Sequence, residues 1–236
     1  MEKSNIIQRL LEKNQITVQE AMILISGGDN GIKESGQINK QRAMFKEITI
    51  GEQIWMAENL NIDTFRNGDL IRDVRTDAVW TEAIEKRQPA WCYFEYNPEN
   101  GNSRGKFYNW FAANDPRGLA PEGWKTPSDE DWGRLTEFSG GVTINSGWNK
   151  RFDQALRDVF GGFSGLPRGV RSFGFNPDIS AWYSSTSFKS TIGTGGETEV
   201  VHHVWVHGLD DELNESYRYD FIAEMDTGFP VRCIRI

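Results

Sequence analysis

Residues 226–236 read DTGFPVRCIRI. Apolar Phe229, Val231, Cys233, Ile234 and Ile236 are interleaved with Arg232 and Arg235. The ends of domains are usually polar and frayed. This alternation instead predicts a strand held inside the domain up to its last residue. Gly228 would make the turn into it, Phe229 and Val231 would lead into the core, and Cys233 would serve as a small buried hydrophobe.

The rest of the composition agrees with a loop-rich domain built on large rings. The 236 residues suffice for one large domain or a domain with an appendage. Apolar content is only 38%, but it includes 14 Phe, 9 Trp and 6 Tyr. Each such ring buries roughly 150–250 Å². The 24 Gly and 8 Pro predict frequent turns rather than long helices. A net charge of −8 disfavours nucleic acid and anionic membrane surfaces as partners. Two cysteines are too few for a disulfide scaffold, and spacing does not decide whether Cys92 and Cys233 pair. No basic segment followed by an apolar stretch is seen at the start, so no signal peptide is expected. No run reaches the ~20 apolar residues of a membrane span. A cytoplasmic or virion-associated protein is the expectation.

Residues 1–25 contain no aromatic side chain. Ser4 caps a predicted helix bearing Ile6, Ile7, Leu10 and Leu11, and Thr17-x-x-Glu20 forms a capping box for a second. The resulting helical hairpin cannot bury its apolar face alone. It would pack on the main domain, on copies of itself in a homo-oligomer, or on a docking partner. Residues 26–42 are polar and glycine-rich and read as a linker. Residues 43–236 read as one domain. Two strands are expected around Gly51-Glu52, a helix over 77–87, and a β-prone run at AWCYFEY (90–96). A short aromatic helix is expected within GKFYNWFAAN (105–114). Ser128 should cap a further helix, with Asp131 at its third position, Trp132, Leu135 and Phe138 toward the core, and Gly140-Gly141 at its end. Three β-like runs follow: AWYSSTSF (181–188), VVHHVWVHG (200–208) and SYRYDFIAE (216–224).

IGEQIWMAENLN, GKFYNWFAA, APEGWKTPSDEDW, GFSGLPRG, WYSSTSF and GFPVRCIR follow one another in this chain. In that order they resemble the Fibrobacter succinogenes major paralogous domain family, over most of 43–236. Pro121-x-Gly123-Trp124-x-x-Pro127-Ser128 followed by Trp132 is the most specific of these signatures. The resemblance implies an α+β, C-type lectin-like domain in the branch shared with formylglycine-generating enzymes. Such a domain has short twisted antiparallel sheets, two or more helices and much irregular loop. It also implies that the two ends of the domain pair, placing the closing strand beside ITIGEQIWM. The Gly228-Phe229-x-x-Arg232 ending is similar to that of some variable proteins of diversity-generating retroelements, found in phages and bacteria. That likeness implies a fixed framework with a diversified binding face at about 176–220.

The three histidines all lie in VHHVWVHG. As a strand, it sets His203, Trp205 and His207 on one face and His202, Val204 and Val206 on the other. His203 and His207 would then stand roughly 13 Å apart, too far for one metal ion. If Val204 and Val206 face the core, Trp205 between two histidines is a contact surface. If Trp205 is the buried residue, the histidines form a rim. GLDDELNES (208–216) gathers Asp210, Asp211 and Asn214 without the glycine or spacing of a calcium loop, and reads as solvated. In SYRYDF, Tyr217, Tyr219 and Phe221 share one face, with Phe221 expected in the core and the two tyrosines partly exposed. Tyr183 and Arg218 complete the expected binding set.

Enzyme signatures are weak. There is no Gly-x-Ser-x-Gly elbow, Walker loop or dinucleotide fingerprint. The late cysteine pair of formylglycine-generating enzymes is not reproduced, because Cys92 lies far upstream of Cys233. The expectation is therefore a non-catalytic recognition protein for a protein or glycan ligand, with no cofactor and no metal. An enzyme of the formylglycine-generating type, or a structural subunit of a surface or virion assembly, is the alternative.

Overall fold

The computed structural model describes residues 45–138, 147–149, 170–172, 175–176, 179–194, 197–210, 215–222 and 226–236. The chain divides into Met1–Phe45 and Lys46–Ile236, and every element below belongs to the second. The hairpin and linker expected over 1–25 and 26–42 lie outside the described residues, as does Gly140-Gly141.

β1 (Glu47–Ile50) and β2 (Gln53–Met56) form the antiparallel hairpin expected around Gly51, which turns at φ +59°. β3 (Arg72–Asp73) leads to α1 (Asp77–Glu85), capped by the Thr76 hydroxyl and burying Trp80 and Ala83. β4 covers only Ala90–Cys92. The AWCYFEY run does not continue as a strand: Phe94–Tyr96 makes a single 3₁₀ turn, with Glu95 and Tyr96 at φ 52° and 55°. Packing overrides propensity there, since Phe94 is driven against Phe107 and Phe175, and the Tyr96 hydroxyl reaches Asp77 at 2.7 Å. After the single turn α2 (Gly101–Arg104), β5 (Phe107–Tyr108) precedes α3 (Trp110–Ala113), whose first turn is capped by Asn109.

β6 (Trp124–Lys125) comes next, then α4 (Asp129–Phe138). Its start is a reciprocal capping box. Asp131 N–H donates to Ser128 Oγ at 3.1 Å, and Ser128 N–H donates to Asp131 Oδ2 at 2.8 Å. Trp132 and Leu135 are buried as expected, whereas Phe138 is 59% exposed. It occupies the last helical position, where its ring overhangs Gly51 instead of entering the core. The remaining elements are strands: β7 (Gly147–Asn149), β8 (Val170–Ser172), β9 (Phe175–Asn176), β10 (Ile179–Thr194), β11 (Glu197–Asp210), β12 (Glu215–Ile222), β13 (Thr227–Gly228) and β14 (Ile234–Arg235).

Among the described residues these strands make four small sheets, ordered β1-β2-β14-β6, β10-β11-β12-β7, β13-β8-β9 and β3-β4-β5. All pairings are antiparallel except β3 with β4. The architecture is thus α+β, with several short antiparallel sheets and few helices. The closing stretch lies inside it. Ile234 pairs with Trp55 on one side and with Lys125 on the other. Tyr108 and Phe229 exchange backbone hydrogen bonds, Leu60 N–H donates to Val231 O, and Met56 N–H donates to Cys233 O. Residues 226–236 are therefore two short strands joined by an extended segment, rather than one strand. Ile236, expected to be buried, is 80% exposed, although its N–H still donates to Gly123 O at 3.1 Å.

Gly228 does not make a turn with positive φ. It is required for a close approach: a Cβ there would lie 2.8 Å from the Trp80 ring. Among the described residues, two of the apolar clusters in the interior position the sheets. One holds Ile50, Trp55, Trp132, Leu135, Trp182 and Ile234. The other holds Val74, Trp80, Ala83, Ala90, Cys92, Phe94 and Phe107.

Candidate functional site

β10, β11 and β12 carry most of the residues singled out in the sequence. The pairing register sets which of them meet. Trp205 stands opposite Asp220, His207 opposite Arg218 and Trp182, and His203 opposite Phe188. Val204 and Val206 are fully buried, which decides the open question of orientation. Trp205 and the two histidines beside it occupy the other face.

That face has two halves. At one end α4 covers it. Trp132 packs on Trp182 and stacks on His207, with ring centroids 5.3 Å apart and planes 12° from parallel. Asp129, in the first turn of α4, accepts from Arg218 through both carboxylate oxygens at 2.7 Å, and from His207 Nε2 at 2.8 Å. Burial alone would raise the Asp129 carboxyl. The hydrogen bonds and charges of His207 and Arg218 outweigh it and hold the carboxyl well below the usual range. Burial lowers His207 against the opposing pull of Asp129. Nε2 faces a carboxylate, which only accepts, so that nitrogen is the donor of the pair. The Arg218 guanidinium also lies 3.3 Å from the centre of the Trp205 ring.

The other half of the face is open. Phe188 is 38% exposed. His203 stacks on it with centroids 4.8 Å apart, and Trp205 tilts against it at 5.5 Å. His203 Nδ1 lies 3.0 Å from Asp220 Oδ2, and its Nε2 lies 2.7 Å from Ser190 Oγ. The Asp220 side chain is 39% exposed.

The tyrosines belong elsewhere. Tyr183 is fully buried against Trp110 and Phe229, and Tyr217 is 6% exposed. Both lie on the face of Val204 and Val206, so neither offers the contact surface expected of it. Tyr219 is half-buried beside Tyr217. Phe221, expected in the core, is half-buried with its ring against Phe229. Asp210 closes β11. Asp211 and Asn214 lie outside the described residues.

Phe188, Ser190, Asp220 and Asp129 were not singled out in the sequence. Only Asp220 carried a legible hint, through its alternation with Arg218. The others become neighbours through register and through the docking of α4. Among the described residues, no three His, Cys, Asp or Glu side chains converge to hold a metal ion. Cys92 and Cys233 are free, buried thiols. Burial pushes Cys233 up to about 12 and Cys92 further still. No described helix is long and apolar enough to cross a membrane.

The architecture is that of a small-sheet α+β scaffold with one half-open sheet face. The chain belongs to the family described as the Fibrobacter succinogenes major domain, whose family model matches residues 48–235. No curated protein and no solved structure matches it.

Proposed function

We propose that the domain is a ligand-recognition module of the C-type lectin-like type, binding a protein or glycan through the open half of the β10–β12 face. One observation carries this reading: the exposed Phe188 ring, backed by His203 and Trp205 and bordered by Asp220 and Arg218. Aromatic area beside fixed charges is what binding surfaces concentrate. The strip is also rigid, because Arg218 is anchored through Asp129 to α4. Thiol chemistry of the formylglycine-generating kind finds no support, since both thiols are buried and held protonated.

The same reading accounts for the division of labour along the chain. A framework closed by Arg232 and Ile234 tolerates change on the open face, as diversification by a retroelement would require. Self-association through residues 1–25 would sum weak contacts by avidity. The test compares the protein with a Phe188→Ala/Trp205→Ala double variant on immobilised glycans and on a displayed peptide library. Capture by the former and not the latter is expected. Equal capture by both would place the site elsewhere. A nearby reverse transcriptase, with a template copy differing at adenines from the codons of β10–β12, is the expected sign of diversification.

A further inference from the structure

Beyond recognition, the geometry points to a second activity on the same face: Ser190 is a nucleophile, with His203 as its general base and Asp220 as the positioning carboxylate, acting on carboxylic esters. The three residues come from three adjacent strands, with His203 in the middle. It reaches diagonally to Ser190 on β10 at 2.7 Å and to Asp220 on β12 at 3.0 Å. The identity of each nitrogen matters. A carboxylate only accepts, so Nδ1 beside Asp220 carries the proton, and Nε2 presents its lone pair to the Ser190 hydroxyl. That is the protonation pattern a serine nucleophile needs. The ring cannot swing away, because Phe188 stacks on it only 12° from parallel.

The neighbouring histidine shows that this arrangement is not a generic property of the face. His207 also meets a carboxylate, but through Nε2, and that carboxylate is already held by both arms of Arg218. His207 is thus fixed as part of an ion-pair anchor, whereas both ring nitrogens of His203 are engaged in a relay ending at a hydroxyl. Among the described residues β10 is also an edge strand. Along that edge the N–H groups of Tyr183 and Ser185 already donate to Pro230 O and Pro127 O, so a donor for the developing oxyanion would have to come from the stretch of β10 beyond them, beside Ser190.

The step balances with water as the only co-reactant. Ser190 Oγ bonds to the ester carbonyl carbon, its proton passes to His203 Nε2, and the carbonyl π pair moves onto oxygen. Collapse breaks the bond to the alcohol oxygen, which leaves with the proton from Nε2. Water then attacks the acyl-serine by the same sequence, releasing the carboxylic acid and restoring Ser190. An ester suits the site better than an amide, because the face is open to water and an alkoxide leaves with less assistance than an amine. The exposed Phe188 ring and the half-buried Trp205 ring beside it would receive the apolar part of the substrate.

The test uses the full chain, a fluorophosphonate probe and p-nitrophenyl acetate. Covalent labelling at Ser190, mapped by mass spectrometry on the unaltered protein, is expected. Turnover should fall roughly 10²-fold or more in Ser190→Ala and in His203→Gln. Asp220→Asn should lower kcat with KM unchanged, and Asp220→Glu should restore part of it. An unlabelled Ser190, or turnover undiminished in Ser190→Ala, overturns the proposal. Neither result bears on ligand capture by Phe188 and Trp205, so the recognition reading is tested separately.

Discussion

Asn59 and Arg232 are 173 positions apart in sequence, yet they share one buried node. The guanidinium donates to Asn59 Oδ1 from Nε at 3.0 Å and from Nη2 at 2.7 Å. The same oxygen accepts from the Trp182 indole at 2.8 Å. A third arm of Arg232 donates to Ala57 O at 3.0 Å. Arg232 is only 1% exposed, and burial depresses its ionisation. The node joins the MAENLN, WYSSTSF and GFPVRCIR stretches at one oxygen atom.

Asn59→Leu should therefore destabilise the domain by about 3 kcal/mol, because it leaves a buried guanidinium short of its acceptor. Urea denaturation should show a lower midpoint with an unchanged slope. Deleting 229–236 removes Arg232 altogether and should abolish cooperative unfolding. A truncated protein with an intact transition would contradict the role assigned to the node.

Gly228→Ala should cost about 1–3 kcal/mol through overpacking against Trp80. Trp80→Leu would itself destabilise, but the double variant should be less unstable than the two single effects predict. Additive losses in thermal melts would show that contact with Trp80 is not the constraint at 228.

Acid should loosen the contact between α4 and the sheet. The folded Asp129 carboxyl lies below its unfolded value of about 3.9, so its contribution is present above that pH and lost as pH falls toward the folded value. His207 lies below its unfolded value of about 6.5, so its contribution is present above about pH 6.5 and weakens on acidification. Both act in the same direction. Asp129→Asn should lower stability by roughly 1–3 kcal/mol at pH 7 and flatten the dependence of Tm on pH below pH 5. A variant curve parallel to that of the unaltered protein would refute this.

Burial separates the aromatic residues of β10–β12 into two sets. Tyr183→Ala and Tyr217→Ala should each cost about 3–5 kcal/mol, as large-to-small changes in a core do. Phe188→Ala should change stability far less. Calorimetry that ranks Phe188 with the tyrosines would place it in the core.

Neither thiol should react with an aromatic disulfide reagent in the folded protein, and both should react in denaturant. A fast native thiol would reopen cysteine chemistry on this fold.

Much of the scaffold was legible in the sequence because its signals are local. The Gly51 hairpin, the Ser128–Asp131 capping box and the three long strand runs are each marked by residues within a few positions of one another. The placement of the closing stretch beside β2 came instead from family resemblance. Alternation in VHHVWVHG showed that Val204 and Val206 share a face, but not that this face is the core. Tyr183 and Tyr217 read as surface because a strand residue looks the same from either side until its neighbours are known. Ser190, His203 and Asp220 were illegible as a group. Their meeting depends on the register of three strands, and between β10 and β11 that register is shifted by an irregularity between Tyr183 and Ser187. The stop after Cys92 was hidden too, since it follows from Phe94 packing on residues far along the chain.

The pairing of Trp55 with Ile234 also has a consequence for synthesis. β2 emerges from the ribosome long before the strand that completes its sheet exists. At roughly 5–20 residues per second, it waits on the order of 10–35 s with Trp55 and Met56 uncovered. Completion of this sheet therefore waits for the synthesis of Ile234, and until then the nascent chain is a natural client for chaperones that hold aromatic segments. Arrest peptides placed progressively further downstream of residue 236 should register folding force only after that residue has cleared the exit tunnel.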